Sequence, residues 1–212
     1  MTESKKEKVR AMTITYTVDG GLYINVTNRC TNSCNFCIRN NGDGAYGSDS
    51  LWLLREPNEE EILSSVFSNN LESIPEVVFC GYGEPSVRLD TVREVALKIK
   101  EKYPKIKIRI NTNGQSDLIH KCNTAPMYKD AFDTVSISLN APTVERYQEI
   151  CHSVFGDIVL DSIIEFAKNV KNYVQNVVFS VVKESLSAEE IKKCYEIANE
   201  CGVNLRVRDL IT

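Results

Sequence analysis

The sequence predicts an α/β fold, built as an open sheet or an incomplete (β/α) barrel behind an N-terminal β-hairpin. Two observations support this prediction: strand-like and helix-like segments alternate along the 212 residues, and β-forming residues flank Asp19-Gly20-Gly21 near the start. One helix between successive strands is typical of parallel pairing with right-handed crossovers. Hydrophobic residues make up 42% and charged residues 25% of the chain, so we expect one domain spanning residues 1–212.

The hairpin is predicted from residues 12–28, MTITYTVDGGLYINVTN, in which β-forming residues surround a glycine turn. Glycine supplies the positive φ that such a tight turn needs. The chain then continues with short apolar segments that we interpret as the core strands. These six candidates are residues 22–26, 76–80, 106–110, 134–138, 177–182 and 204–207.

Three helices are predicted to begin at capping boxes, in which a polar side chain and a glutamate three residues later cap each other's backbone. The pairs are Asn58 with Glu61, Thr91 with Glu94, and Ser187 with Glu190. Residues 156–170 form another predicted helix, because Val159, Ile163 and Phe166 recur with helical spacing. Gly202 follows the last helix, at the position where a left-handed residue ends many helices.

One connection is too long for an ordinary link between a strand and a helix. Residues 38–57, IRNNGDGAYGSDSLWLLREP, contain the only tryptophan of the chain, Trp52. Loops of this length in compact domains are usually functional or mobile. Two interpretations remain open: a lid over a neighbouring site, or a loop that Trp52 and Leu53 pack onto the domain.

Charge and hydropathy exclude several classes of protein. The formal net charge of −4 does not indicate a nucleic-acid or anionic-membrane surface, and no apolar run is long enough to span a membrane. The first ten residues, MTESKKEKVR, lack the apolar stretch of a signal peptide, and we expect them to be a disordered lead-in. A cytoplasmic protein is therefore expected, whose eight cysteines are thiols or metal ligands rather than disulfides.

Cys30, Cys34 and Cys37 follow directly on the first core strand. They are therefore expected at the C-terminal edge of the sheet, where α/β proteins place their ligands. A zinc site usually needs a fourth ligand, and neither His120 nor His152 belongs to a ligand pair. A redox dithiol leaves one cysteine unexplained, whereas an iron–sulfur cluster accepts three thiolates and keeps one iron open. The spacing favours the cluster and leaves the other two kinds of site possible.

Three further motifs end successive predicted strands: FCGYGEP at residues 79–85, INTNG at 110–114 and SISLNAP at 136–142. Because carboxyl ends of parallel strands share one edge, all three are expected beside the cysteines. Glycines there let the backbone approach a ligand. Small polar side chains in these motifs can hold a polyhydroxy, zwitterionic molecule. Each motif is weak alone, but the set in this order is distinctive.

With these motifs, the sequence resembles the radical S-adenosylmethionine (SAM) superfamily. The matches are the C-x₃-C-x₂-C cluster, GYGEP as a variant of the family's GGEP, the TNG triplet and the SLN stretch. They span residues 30–140, and the order of strands and helices extends the likeness to nearly the whole chain. Residues 22–40 and the SLNAP segment are most similar to the small TatD-associated radical SAM proteins.

The resemblance implies a partial (β/α)₆ barrel and a [4Fe–4S] cluster on Cys30, Cys34 and Cys37, with SAM on the fourth iron. Reductive cleavage of SAM then gives a 5′-deoxyadenosyl radical that abstracts hydrogen from an unidentified substrate. A flavodoxin or ferredoxin is the implied electron donor. Two alternatives are a glycyl-radical activase acting on a protein, and an iron–sulfur protein without catalysis. The GYGEP motif and Ser138 argue against the second alternative, because electron carriers need no adenosyl site.

The resemblance also implies contacts to SAM. The backbone of residues 81–84 corresponds to the cradle for the methionyl amino group, and Asn111 to a polar contact at the same end. Ser138 corresponds to the ribose position, and Phe36 to an aromatic residue that covers the adenine. The fifth strand lacks the family's G-x-I-x-G-x-x-E pattern, so the resemblance assigns no adenine contact there.

Asn140 matches a position at which some relatives have a lysine that reaches the carboxylate of SAM. Because asparagine is neutral, Lys183 or Arg208 is expected to supply the cation. The full set of predicted SAM-binding residues is Phe36, Gly81, Tyr82, Gly83, Glu84, Pro85, Asn111, Asn113, Ser138, Asn140, Lys183 and Arg208.

Two predicted strands alternate apolar with basic residues. Lys107 and Arg109 share one strand face, as do Arg206 and Arg208. Such a face is either half-exposed at the open edge of a barrel or a basic lining that binds an anionic substrate. The first interpretation is favoured for Lys107 and Arg109, and both remain open for Arg206 and Arg208.

Overall fold

The computed structural model describes residues 8–210. Residues 1–7 of the expected disordered lead-in lie outside it. Within the described range, strands form one open sheet in chain order, with β1 antiparallel to β2 and all later neighbours parallel. The strands are β1 (Thr15–Val18), β2 (Gly21–Ile24), β3 (Glu76–Phe79), β4 (Lys107–Thr112), β5 (Thr134–Ser138), β6 (Asn176–Val182) and β7 (Asn204–Arg208). The predicted α/β fold, a partial barrel behind a hairpin, is confirmed.

Helices connect the parallel strands. The α-helices are α1 (Glu59–Phe67), α2 (Leu89–Lys102), α3 (Ser116–His120), α4 (Val144–Cys151), α5 (Val159–Val170) and α6 (Ala188–Cys201). Short 3₁₀ helices cover Ile38–Asn40, Leu71–Ser73, Pro85–Arg88, Ala125–Tyr128, Gly156–Ile158 and Lys183–Ser185. Of the helices within residues 8–210, none combines the length and apolar character that a membrane span requires.

The predicted capping boxes of α1 and α6 are present, since Asn58 and Ser187 each exchange hydrogen bonds with the glutamate three residues later. The box predicted at Thr91 is wrong. α2 begins at Leu89, so Thr91 lies inside its first turn, where its hydroxyl accepts a hydrogen bond from Arg88 at 3.4 Å. The 3₁₀ helix Pro85–Arg88 runs directly into α2 and leaves no extended residue at position 91 to act as a cap.

Side chains alternate between the two faces of the parallel strands, and the two faces differ in polarity. In β4, Ile108 and Ile110 are fully buried against the helices, whereas Arg109 and Asn111 line a cavity on the concave face. Because the sheet is open rather than closed, this concave face is not filled by its own side chains. The alternation therefore builds an apolar core on one side and a polar trough on the other.

Candidate active site

A cavity of about 910 Å³ lies on the concave face of the sheet and reaches the carboxyl ends of the strands. Cys30, Cys34 and Cys37 all contribute to its wall. The structure thus brings the three thiols together with most of the predicted SAM contacts. The predicted contacts that line the cavity are Phe36, Gly81, Tyr82, Glu84, Asn111, Asn113, Ser138, Asn140 and Arg208.

Gly83, Pro85 and Lys183 are not brought into the cavity wall of the described chain. Pro85 is buried and Lys183 is exposed to solvent. A Cβ at Gly83 would lie 2.3 Å from the carbonyl oxygen of Thr27 and 2.6 Å from that of Arg29. The glycine is therefore required by the packing of two protein loops, which corrects the expectation that it leaves space for a ligand.

The cysteine loop is held at the cavity by the end of α4. The backbone N–H of Ser33 donates to the carbonyl of Cys151, and that of Asn35 donates to the carbonyl of Ile150, both at 2.9 Å. These bonds satisfy carbonyls in the last turn of α4, which have no partner within the helix. The position of the thiols is thus set by a contact between the loop after β2 and a helix more than a hundred residues later in the chain.

The electrostatic environment keeps the thiols neutral. Burial raises the pKa of Cys30 to about 12 and raises the pKa of Cys37 as well. A hydrogen bond with the thiol of Cys151, together with burial, raises the pKa of Cys34. The guanidinium of Arg39 acts in the opposite direction on all three thiols. Buried thiols with raised pKa values release their protons when a metal binds.

Among residues 8–210, no three His, Cys, Asp or Glu side chains converge on a point that a single metal ion could occupy. In an iron–sulfur cluster each thiolate binds a different iron, so the sulfur ligands surround the cluster instead of meeting at one atom. Three separate thiols at one end of a large cavity fit that kind of group.

Asn140 has an unusual backbone and an unpaired side-chain atom. Its φ is +58°, in the left-handed region, and its Nδ2 donates to the sulfur of Cys151 at 3.3 Å. Its Oδ1 is buried and has no hydrogen-bond partner. A buried amide oxygen without a donor costs free energy. Asn140 also lines the cavity, so its amide is a candidate contact for the N–H or O–H group of a ligand.

Glu84 joins two of the predicted motifs. Its buried carboxylate accepts hydrogen bonds from the backbone N–H of Ser86 at 3.0 Å, the N–H of Asn113 at 2.7 Å and the hydroxyl of Thr112 at 2.7 Å. Burial raises the pKa of this carboxyl despite these three donors. The side chain thus ties the loop after β3 to the end of β4, and it fixes the edge of the cavity from within the protein.

The loop of residues 38–57 is packed onto the domain. Trp52 meets the ring of Tyr82 edge to face, with ring centres 5.1 Å apart. The Tyr82 hydroxyl lies 2.9 Å from the carbonyl oxygens of both Gly42 and Gly44. Packing by Trp52, one of the two interpretations from the sequence, is therefore what the structure shows. The same loop contributes part of the cavity wall.

Several cavity residues were missed by reasoning from the sequence. Asn32 donates its backbone N–H to the sulfur of Cys30 at 3.4 Å and lines the cavity. Cys80 also lines the cavity, next to the GYGEP motif that the sequence predicted to lie beside the cysteines. Asn32 lies within the cysteine motif, which is the signal that could have identified it.

The sequence model of the Radical SAM superfamily matches residues 24–204. The chain belongs to this superfamily. Radical SAM proteins use a [4Fe–4S] cluster and SAM as cofactors. The residues present fit this pair of groups, because three cysteines line one cavity with polar residues such as Asn140, whose buried Oδ1 has no hydrogen-bond partner.

Solved structures agree with this assignment at the level of the fold. SuiB of Streptococcus suis, bound to its precursor peptide SuiA, aligns with a TM-score of 0.64 and 19% identity, over 89% of this chain and 38% of SuiB. SuiB bound to SAM aligns with a TM-score of 0.62 and 18% identity, over the same shares of the two chains.

A radical SAM methyltransferase of Sphaerobacter thermophilus aligns with a TM-score of 0.59 and 14% identity, over 92% of this chain and 68% of that protein. The radical SAM chain described here therefore spans well under half the length of SuiB and about two thirds of the methyltransferase. No curated protein sequence matches it.

Proposed function

We propose that this chain is a radical SAM enzyme in which Cys30, Cys34 and Cys37 hold the [4Fe–4S] cluster. One observation carries the proposal: Cys30, Cys34 and Cys37 line a single cavity together with Ser138 and Asn140. When bound, the cluster and SAM supply the reductive cleavage that yields a 5′-deoxyadenosyl radical for hydrogen abstraction from a substrate. Membership of the superfamily supports this reading of the site.

The protein's own side chains orient SAM in this proposal. Arg208 binds the carboxylate, because it lines the cavity beside Phe36, 5.9 Å from the ring centre, and has no carboxylate partner among the described residues. Phe36 covers the adenine, and Ser138 binds the ribose. Asn140 accepts a hydrogen bond from SAM through its unpaired oxygen, and a neutral residue suffices there since Arg208 supplies the charge.

The backbone after β3 forms the remaining wall. A Cβ at Gly81 would lie 2.1 Å from Oδ1 of Asn25, and that same oxygen accepts the N–H of Tyr82 at 3.4 Å. The side chain of Asn25 is itself fully buried. It therefore fixes the backbone at residues 81–84, which faces the amino group of SAM in this proposal.

The finer features of the proposal rest on the sequence. Residues 22–40 and the SLNAP segment support a place among the small TatD-associated radical SAM proteins. A cytoplasmic location and a flavodoxin or ferredoxin as electron donor accompany that assignment.

Anaerobic reconstitution with iron and sulfide tests the proposal. We expect wild-type protein to take up iron, to give a spin-half EPR signal on reduction, and to release 5′-deoxyadenosine when SAM and dithionite are added. Cys34→Ala should lose the signal, whereas Cys122→Ala, at an exposed cysteine outside the cavity, should retain it. A stable zinc complex without iron uptake would contradict the cluster. Cluster formation with bound SAM but no 5′-deoxyadenosine would leave a non-catalytic iron–sulfur protein.

A further inference from the structure

Two cations of the cavity wall have no carboxylate partner among residues 8–210. Lys107 and Arg109 line it and are each paired with a carboxylate, at 3.2 Å and 2.6 Å. Arg206 and Arg208 line it as well, yet neither makes an ion pair or hydrogen bond within the described chain. The two strands with the same apolar–basic pattern therefore differ, because only β4 finds internal partners for its charges.

The two unpaired guanidinium groups lie on the same face of β7. Residues two apart on a strand are separated by about 6–7 Å, so Arg206 and Arg208 repel each other. Burial lowers the pKa of Arg208, and the charge of Arg206 contributes in the same direction. Asp209 lines the cavity next to them but lies beyond ion-pair distance of both. An anion in the cavity would offset this repulsion.

The strand register connects Arg206 to the proposed SAM site. Ser138 on β5 pairs with Ser180 on β6, and Ser180 pairs with Arg206 on β7. All three residues line the cavity, so they form one row across the concave face. Neighbouring strands lie about 4.8 Å apart, which places Arg206 about 10 Å from Ser138 across the sheet. Ser180, between them, presents a small side chain that leaves room above the row.

We propose that Arg206 binds an oxyanion of the substrate, a carboxylate or a phosphate, while Arg208 binds the carboxylate of SAM. Guanidinium groups bind both kinds of oxyanion through paired hydrogen bonds. The substrate is then an anionic molecule that lies along the row, with its reacting C–H group near Ser138 and its charge at β7. The position of the reacting group rests on the proposed function, whereas the anion site at Arg206 does not.

Calorimetric titration of the reconstituted full chain tests the anion site, with succinate and inorganic phosphate as separate probes and no SAM present. We expect one of the two to bind, and Arg206→Gln to weaken that binding about tenfold or more, the effect of losing a charge-assisted hydrogen bond. Lys107→Gln is the matched control, since it removes a cavity cation that is already paired. Preference for phosphate would indicate a phosphoester substrate, and preference for succinate a carboxylic acid.

A titration with SAM separates this inference from the proposed function. Arg206→Gln should bind SAM like the wild type, and Arg208→Gln should bind it more weakly. If wild-type protein binds neither succinate nor phosphate, or if Arg206→Gln binds the probe as well as Lys107→Gln does, the anion site is wrong. If the probe binds through Arg206 but SAM does not bind at all, the anion site stands and the proposed function fails.

Discussion

At the scale of single residues, Asn140 combines a left-handed backbone conformation that the fold requires with a side-chain amide that can hydrogen-bond a ligand. Its left-handed backbone, with φ of +58°, is a conformation that asparagine tolerates better than most residues. The Nδ2 of its amide donates to the sulfur of Cys151, and its buried Oδ1 has no hydrogen-bond partner. A lysine at this position would supply charge but would accept no hydrogen bond.

Two substitutions at position 140 measure the effect of the backbone conformation and the effect of the side-chain amide separately. Asn140→Gly keeps the left-handed backbone at no steric cost and removes the amide. Asn140→Ala removes the amide as well but adds the strain of a Cβ, so it should be less stable than the glycine variant by about 1 kcal/mol. Both should bind SAM more weakly than the wild type. Urea unfolding and calorimetry measure the two effects.

Equal stability of the glycine and alanine variants would show that position 140 relaxes out of the left-handed region. Wild-type affinity for SAM in both variants would show that the unpaired oxygen faces no part of SAM. Either result would contradict the role given to Asn140 here.

At the scale of elements, α1 depends on a charged cap. Glu61 accepts hydrogen bonds from the Arg55 guanidinium at 2.6 and 2.8 Å and from the N–H of Asn58 at 2.9 Å. These contacts, that with Arg55 first, lower the pKa of Glu61 to about 2. A carboxyl whose folded-state pKa is depressed stabilises the fold above its unfolded value of about 4.3 and loses that contribution as the pH falls towards 2.

We therefore expect the wild type to lose more unfolding free energy than Glu61→Gln when the pH is lowered from about 5.5 to about 3. Glutamine can still occupy a capping box, so the comparison isolates the charge. Urea unfolding at several pH values measures the difference. Parallel pH profiles for the two proteins would contradict the expectation.

The loop of residues 38–57 is a second element whose packing can be tested by substitution. Tyr82→Phe removes the hydroxyl near the carbonyls of Gly42 and Gly44 and keeps the ring that packs against Trp52. We expect a loss of about 1 kcal/mol in stability and faster hydrogen exchange at the Leu51 amide, which donates to the carbonyl of Asp43. Tyr195→Phe, at an exposed tyrosine, is the control, and equal exchange in both variants would contradict the expectation.

SAM binding provides a further test of this loop. Because its residues form part of the cavity wall, SAM is expected to slow hydrogen exchange in residues 38–57 of the wild type. Unchanged exchange at full SAM occupancy would show that the loop is only packed and does not respond to the cofactor.

At the scale of the whole molecule, the strand order, the hairpin and the common edge of the four motifs all follow from local patterns. The hairpin turn, for example, has the positive φ values at Asp19 and Gly20 that its sequence indicates. Local patterns do not reveal which charges meet across strands. Arg109 and Arg206 have similar sequence neighbours, but only Arg109 lies beside Glu76 of the adjacent strand. The sequence therefore left both interpretations of Arg206 and Arg208 open, and the contacts between strands are what distinguish these residues from Lys107 and Arg109.

The role of Gly83 also could not be predicted from the sequence. A glycine in a ligand-binding motif can be required for packing between two loops of the protein, not for contact with the ligand. Its neighbours come from the loop that leads to the cysteines: the carbonyl of Thr27, and the carbonyl of Arg29, which also accepts the N–H of Glu84 at 2.8 Å. Cys30 follows Arg29 directly. The glycine thus lets the loop after β3 lie against the cysteine loop, and it couples two parts of the site that the sequence treats separately.

Gly83→Ala should therefore impair the cluster site as well as the fold. The new Cβ would lie 2.3 Å from a backbone oxygen, which is closer than van der Waals contact allows. The two loops must therefore separate. We expect a loss of about 1–3 kcal/mol in unfolding free energy, as for other overpacked positions, and less iron bound per chain after reconstitution. Gly42→Ala is the matched control, because its Cβ meets nothing closer than 3.8 Å and should change stability by no more than about 0.5 kcal/mol. Full iron loading in a destabilised Gly83→Ala protein would show that the cysteine loop keeps its geometry without support from the loop after β3.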